Sequence, residues 1–407
     1  MEESLKIPRW YFLTSIVVLL TIGISWGIAI LWDIGKEASF TSSPIFSINA
    51  HGMAQVFGWV GLWMMGMMYF LLSHEWNRKL HYPKLAYLPL LLMVLSICIH
   101  LYQPSQANWV RISGTLRIFA VSLFLSHLFS LLKPKEIGIR FLFAGGIWLF
   151  LSTVMSAWHH MNLASASNTD ILFWNVATFQ APLRDLQVHG MALFLLLGIT
   201  ISLFPKWFHL PSLSNRAGKQ ALFLLIVGLL GEVGFYLLYR FTQNHIYAAF
   251  LLLFWLGITV GLLRILIPIK IWKAPFPLFL AYLWILFSLS LLLFMPVYQM
   301  ISHIVFSHAY YGAIRHAIVV GGISLMMAAI ASQVFHFHFS LAALFLMNVG
   351  CLLRVPLQIL SDWTPLGFSL VPISGVIEIC GFGLWSLSFL FSIFARNKIL
   401  QESQSRA

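Results

Sequence analysis

Charge is what this chain has least of. Only 9% of its 407 residues are Asp, Glu, Lys or Arg, against about a quarter in a soluble globular domain. Acidic residues number 12, and 60% of the chain is hydrophobic. Together these exclude an ordinary soluble domain. Cysteine is scarce as well. The three cysteines, Cys98, Cys351 and Cys380, all lie in apolar stretches. There is no CxxC pair, no disulfide framework and no CxxCH for covalent haem attachment. Long polar linkers are missing, which leaves no room for a soluble domain. Strict alternation of apolar and polar residues is missing too, which excludes a transmembrane β-barrel.

What is present is a series of twelve apolar runs, at 10–32, 46–72, 85–103, 111–132, 138–158, 183–204, 219–239, 245–267, 275–297, 308–332, 339–360 and 371–395. About 20 apolar residues span a bilayer as helix. The expected fold is therefore all-α: a polytopic membrane protein of twelve transmembrane helices, with residues 1–407 forming a single transmembrane domain. The first run follows Lys6 and Arg9, as a signal peptide would. It is too long for a signal core and lacks a small-residue cleavage site, so it reads as a retained helix.

The net charge of +12 invites a nucleic-acid partner, but its distribution argues otherwise. With a cytoplasmic N-terminus, 17 basic residues fall on the cytoplasmic side. They lie in the N-terminal tail, in the connections after helices 2, 4, 6 and 8, and in the C-terminal tail. Five fall on the other side: Lys36, Arg111, Arg184, Arg240 and Arg354. This is the positive-inside asymmetry. It predicts both termini in the cytoplasm, membrane lipid as the surrounding partner, and no nucleic acid.

That topology gives each histidine a side. His51, in "NAHGMAQVFGW", lies five residues into the second run. His189, in "QVHGMALFLLL", lies six into the sixth, and His316 eight into the tenth. These depths are roughly 8 to 12 Å below the outer face. His100 ends the third run, and His159 and His160 end the fifth, on the same face. His245, His303 and His308 are also outer. His74, His81, His127, His209, His336 and His338 fall at inner ends and are assigned no role. The three deep histidines head every fourth helix, and "HGMA" recurs at 51–54 and 189–192. A threefold repeat of four-helix units follows, over about 1–135, 136–270 and 271–407.

One buried histidine is usually a polar residue bonded to a neighbouring helix. Three at one level point to metal or haem, because neutral imidazole is the commonest metal ligand and ionisable residues inside membranes are mostly functional. Gly52, Gly58, Gly61, Gly190, Gly198, Gly321 and Gly322 thin the nearby helix faces, either for a flat macrocycle or for ordinary helix packing. Arg117, Arg184 and Arg315 lie where haem propionates would need partners, although Arg184 also reads as an interfacial anchor. Glu232 and Glu378 are the carboxylates well inside the apolar runs. They are read either as proton relays or as structural groups.

These residues carry a resemblance. Twelve helices with histidines heading the second, sixth and tenth resemble the haem–copper oxidase and nitric oxide reductase catalytic subunit. "NAHGMAQVFGW", "RHAIVVGGISLMMAAIASQVF" and "LLRV" at 352–355 are more closely similar to the NnrS family. The resemblance implies a bacterial inner-membrane protein with non-covalent b-type haem and copper. It implies NO or O2 as small ligand, a membrane or periplasmic electron donor, and a link to nitrosative stress. Carried over, His51 and His316 are axial haem ligands and His189 lies near a second metal, with His159 and His160 as reserve copper ligands. Asn49 and Gly52 stand where the NnrS pattern has a histidine and an acidic residue. The oxidase pairing on helices 7 and 10 is missing, and full oxygen-reducing activity is not expected. His100 is expected to play no part in ligation.

Other functions fit parts of the pattern. A terminal oxidase or nitric oxide reductase subunit is one. A cofactor-free secondary transporter also has twelve helices with internal repeats, but its polar residues would gather at the midplane. An assembly factor for a respiratory complex is a third. A haem absorption band separates the first from the transporter.

Overall fold

The computed structural model describes residues 2–40, 42–80, 82–304 and 307–404, with side chains described for 5–393 among these. His81 and Arg406 lie outside the described residues. Among the described residues there is no strand, and twelve helices are long and apolar enough to cross a membrane. They are α1 Leu5–Glu37, α2 Ile45–Glu75, α3 Pro83–Tyr102, α4 Ala107–Leu131, α5 Ile137–Ala164 and α6 Thr169–Trp207. They continue with α7 Asn215–Thr242, α8 His245–Ile269, α9 Phe276–Ser302, α10 His308–Val334, α11 Leu341–Leu360 and α12 Pro365–Ile393. The protein is a multi-pass, all-α membrane protein.

Polar side chains start several of these helices. Asn168 Oδ1 accepts from the Ile171 backbone N–H at 2.9 Å, and Ser307 Oγ accepts from Tyr310 N–H at 2.8 Å. Such caps satisfy amide donors that the first turn leaves without partners. Left-handed residues end others: Gln243, Lys270 and His303 have φ of 56°, 57° and 58°. His209 and His336 take the same conformation, so these three histidines mark chain reversals.

One boundary differs from the expected one. α6 begins at Thr169 and runs through 169–182, a stretch too polar for the hydropathy of a membrane span. The Asn168 cap and Asp170 in the first turn start it early, and no glycine interrupts it before Gly190. Arg184 and Asp185 are therefore helical. His189 lies twenty residues into its helix, whereas His51 and His316 lie six and eight residues into theirs.

The three histidine-bearing helices are the interior ones. Their apolar windows are 94%, 89% and 83% buried for α2, α6 and α10, against 33–61% for the other nine. The outer helices present large apolar side chains instead, among them Phe119, Phe223 and Leu253, as lipid contact requires. Each interior helix widens into π-helical turns at its histidine: Ala54–Gly61 after His51, Leu186–Ala192 around His189 and Ala317–Ser324 after His316. Such insertions are frequent at functional sites.

The chain divides into two compact units. The first comprises Met1–Val18 and Pro44–Ala274, and the second Leu19–Ser43 and Pro275–Ala407. In the first, α5 packs on α6 through reciprocal glycine contacts. A Cβ on Gly145 would lie 2.7 Å from Leu195 Cγ, and one on Gly198 2.6 Å from Leu142 Cγ. At the far end of this pair of interior helices, Lys206 Nζ on α6 bonds Glu75 Oε2 on α2 at 2.6 Å. In the second unit α12 packs against α11, and Trp385 Nε1 donates to the Ala328 carbonyl of α10 at 3.2 Å.

Candidate metal centre

Asp185 and His189 are four residues apart on α6, the spacing that puts two side chains on one helix face. Gly190 brings that face close to its neighbours: a Cβ there would lie 2.9 Å from Leu229 Cδ2 of α7 and 3.3 Å from Trp148 Cβ of α5. Leu229 stands one turn before Glu232, so the same close approach delivers Glu232 to His189. The Nδ1 of His189 and Oε2 of Glu232 are 2.9 Å apart. Trp255 Nε1, from α8, donates to Glu232 Oε1 at 2.7 Å. Both carboxylate oxygens are thus held, and His189, Glu232 and Trp255 are all buried. One ligand atom each from Asp185, His189 and Glu232 lies within 4.8 Å of the others.

Two carboxylates and one imidazole gathered between apolar helices are a donor set for a divalent cation. Oxygen-rich sets of this kind suit iron(II) or manganese(II) better than copper(I), which prefers softer ligands.

The second unit repeats the histidine–carboxylate pairing with other elements. His316 Nε2 on α10 lies 2.9 Å from Glu378 Oε1 and 3.1 Å from Oε2, on α12. Gly350 of α11 makes room for it, since a Cβ there would stand 2.9 Å from the Glu378 amide nitrogen. Glu378 engages Nε2, so Nδ1 is the His316 nitrogen turned from that carboxylate.

The remaining expected residues are distributed as follows. Arg117 is buried under Phe57, with its guanidinium carbon 4.7 Å from the ring centroid. His159 and His160 are buried on α5, with ring centroids 5.7 Å apart. Arg184 is bonded through Nη1 to Gln187 Oε1 at 2.9 Å, and its guanidinium fills the space beside Gly52. Arg315 lies over Tyr311 on its own helix at 5.8 Å. His51 is half-buried in the first unit, and His316 belongs to the second.

The glycine faces do not form a cradle for a macrocycle. Gly58 is filled by Val18 and Ile97, Gly198 by Leu142, Gly321 by Trp284 and Cys351, and Gly322 by Ile285. They serve close helix packing, so the haem implied by the resemblance meets no flat opening at these positions.

The sequence reading did not single out Asp185, Trp255 or a partner for Glu232. Asp185 stands at the edge of the expected run 183–204 and is passed over beside the deeper carboxylates. Its signal is the D-x-x-x-H spacing to His189, which already lies within that run. His100, expected to stand apart, packs edge-on against His160 with ring centroids 4.8 Å apart.

No family model matches the chain. An uncharacterized protein of Aquifex aeolicus (strain VF5) is 40% identical over 108 residues. The match spans 26% of this chain and 26% of that relative's length.

Proposed function

We propose that this protein is a metal-dependent redox protein of the bacterial cytoplasmic membrane, with both termini in the cytoplasm, acting on NO or a similar small ligand. The observation that carries the reading is the constellation of a half-buried Asp185 with the buried His189 and Glu232. Asp185 and Glu232 supply negative charge that a divalent ion offsets. His189 supplies a nitrogen ligand through Nδ1, which faces the Glu232 carboxylate. Trp255 fixes the second oxygen of Glu232, which holds Oε2 toward His189. A bound iron(II) would supply one-electron chemistry and an open position for a diatomic ligand. Trp148 of α5 and Leu229 of α7 pack against the helix beside His189.

The reading takes the threefold repeat as the origin of the three histidine-bearing interior helices. The NnrS resemblance supports the link to nitric oxide. Haem ligation by His51 and His316 belongs to the resemblance, and the adjacent faces at Gly52, Gly58, Gly321 and Gly322 are filled by neighbouring side chains. A Soret band in wild-type protein that is lost in His51→Ala or His316→Ala would establish each ligand separately.

The function is tested by adding NO anaerobically to the reduced, purified protein. The expected result is the quartet-spin EPR signal of a non-haem ferrous nitrosyl, lost in His189→Ala and Glu232→Gln. Wild-type protein loaded with iron(II) that gives no nitrosyl signal would contradict the reading.

A further inference from the structure

The outer ends of α3, α4 and α5 carry a second polar cluster within the first unit, built without any of the three candidate metal ligands. Two serines clasp α3 to α4. Ser96 Oγ donates to the Ser113 carbonyl and Ser113 Oγ to the Ser96 carbonyl, each at 2.9 Å. His100 and Arg117 each lie four residues beyond a clasp serine, on the same helix faces. Gly114 lets α5 approach α4, since a Cβ there would lie 2.8 Å from Ala157 Cβ. His160 is one turn beyond Ala157. Side chains lean toward the start of their helix, so Arg117, deeper in α4, reaches back toward the two histidines.

These groups are closed off and only partly matched, with the Arg117 guanidinium against the Phe57 ring. His100 and Arg117 are 1% exposed and His160 3%. Nε and Nη1 of Arg117, Nδ1 of His100 and Nε2 of His160 are buried without hydrogen-bond partners. Among the described residues no carboxylate pairs with Arg117. A buried guanidinium with two nitrogens unmatched is costly, which calls for an anion. A shared metal ion fits less well. His159 and His160 are consecutive on a helix and cannot converge on one point, and Arg117 would repel a cation.

The histidines refine the ligand. His160 Nδ1 lies 2.7 Å from the Ser156 carbonyl. A carbonyl only accepts, so Nδ1 carries the proton and Nε2 presents a lone pair. That nitrogen needs a donor, whereas Arg117 needs an acceptor. We propose that His100, Arg117 and His160 form a buried binding site for a small oxyanion that also carries a hydroxyl, of which bicarbonate is the smallest. The anionic oxygens accept from Arg117 and from His100, and the hydroxyl donates to His160 Nε2. The site is independent of the metal reading.

The test uses full-length protein in detergent, with unfolding followed by intrinsic tryptophan fluorescence at constant pH and ionic strength. Bicarbonate, acetate and nitrate are the probes. Bicarbonate should raise the melting temperature at concentrations where acetate and nitrate, which lack the hydroxyl, do little. Arg117→Gln should weaken the bicarbonate response by at least about tenfold, the loss of one charge-assisted contact, while Arg111→Gln, at an exposed position of α4, should leave it unchanged. His160→Phe should remove the preference for bicarbonate over acetate. Equal responses to the three anions in wild-type protein, no response to bicarbonate, or a response unaltered in Arg117→Gln would each overturn the proposal. The wild-type anion series decides the matter even where a variant fails to fold.

Discussion

Glu232 Oε2 on α7 sits 2.9 Å from His189 Nδ1 on α6, with both side chains buried. Neither group is at home in an apolar helix bundle alone. Each makes the other tolerable, and Trp255 completes the arrangement by donating to the second carboxylate oxygen at 2.7 Å.

Removing the carboxylate should therefore be expensive. Glu232→Leu removes the carboxylate acceptor of both His189 and Trp255, at about 1–3 kcal/mol for each. Trp255→Phe removes one bond to a charged acceptor and should cost about 1.5–3 kcal/mol. Thermal unfolding in detergent, compared with wild type, checks both. A Glu232→Leu protein as stable as wild type would show that the pair contributes nothing to the fold.

The serine clasp makes a second stability prediction. Ser96→Ala and Ser113→Ala should each destabilise by about 1 kcal/mol. The double variant should lose less than the sum, because the two hydroxyl oxygens also lie 3.3 Å from each other. A double-mutant cycle on melting temperature measures that coupling, and strict additivity would contradict it.

Glycine positions should divide sharply. Cβ atoms at Gly145 and Gly198 would come within 3.0 Å and 2.9 Å of the backbone nitrogens of Leu195 and Leu142, which no rotamer change relieves. Gly145→Ala and Gly198→Ala should each cost about 1–3 kcal/mol. Gly234→Ala meets nothing within 4 Å and should be neutral, or stabilising by up to about 1 kcal/mol. Yield of monodisperse protein and melting temperature report the difference.

The basic residues fix a topology prediction. A reporter active only in the cytoplasm, fused after Ala407, should be active, and a periplasm-dependent one silent. The reverse pattern would invert every assignment of side.

Much of the architecture is legible in the residues. Twelve spans follow from apolar length, and the histidines at 51, 189 and 316 mark the three interior helices because an imidazole set in an apolar run needs neighbouring helices around it. What escapes is pairing. Nothing local says that Glu232 meets His189, or Glu378 meets His316, since such contacts depend on how helices pack on one another. The early start of α6 escapes as well: 169–182 is helical by capping, not by hydropathy, and it turns Asp185 from the edge of an apolar run into a residue well inside a helix. Glycines are ambiguous for a related reason. A bare face admits a cofactor or a neighbouring helix equally, and here Leu142, Leu229 and Trp284 fill it.

The central claim is that Asp185, His189 and Glu232 hold one metal ion, and metal analysis of purified protein tests it most directly. Elemental analysis by mass spectrometry after reconstitution with iron(II) and removal of loosely bound metal should find about one iron per chain in wild type. Iron should be lost in His189→Ala and sharply reduced in Asp185→Asn. The Ser96→Ala protein, altered away from the three ligands, should keep it. Metal-free wild-type protein, or equal metal content in wild type and His189→Ala, would contradict the account.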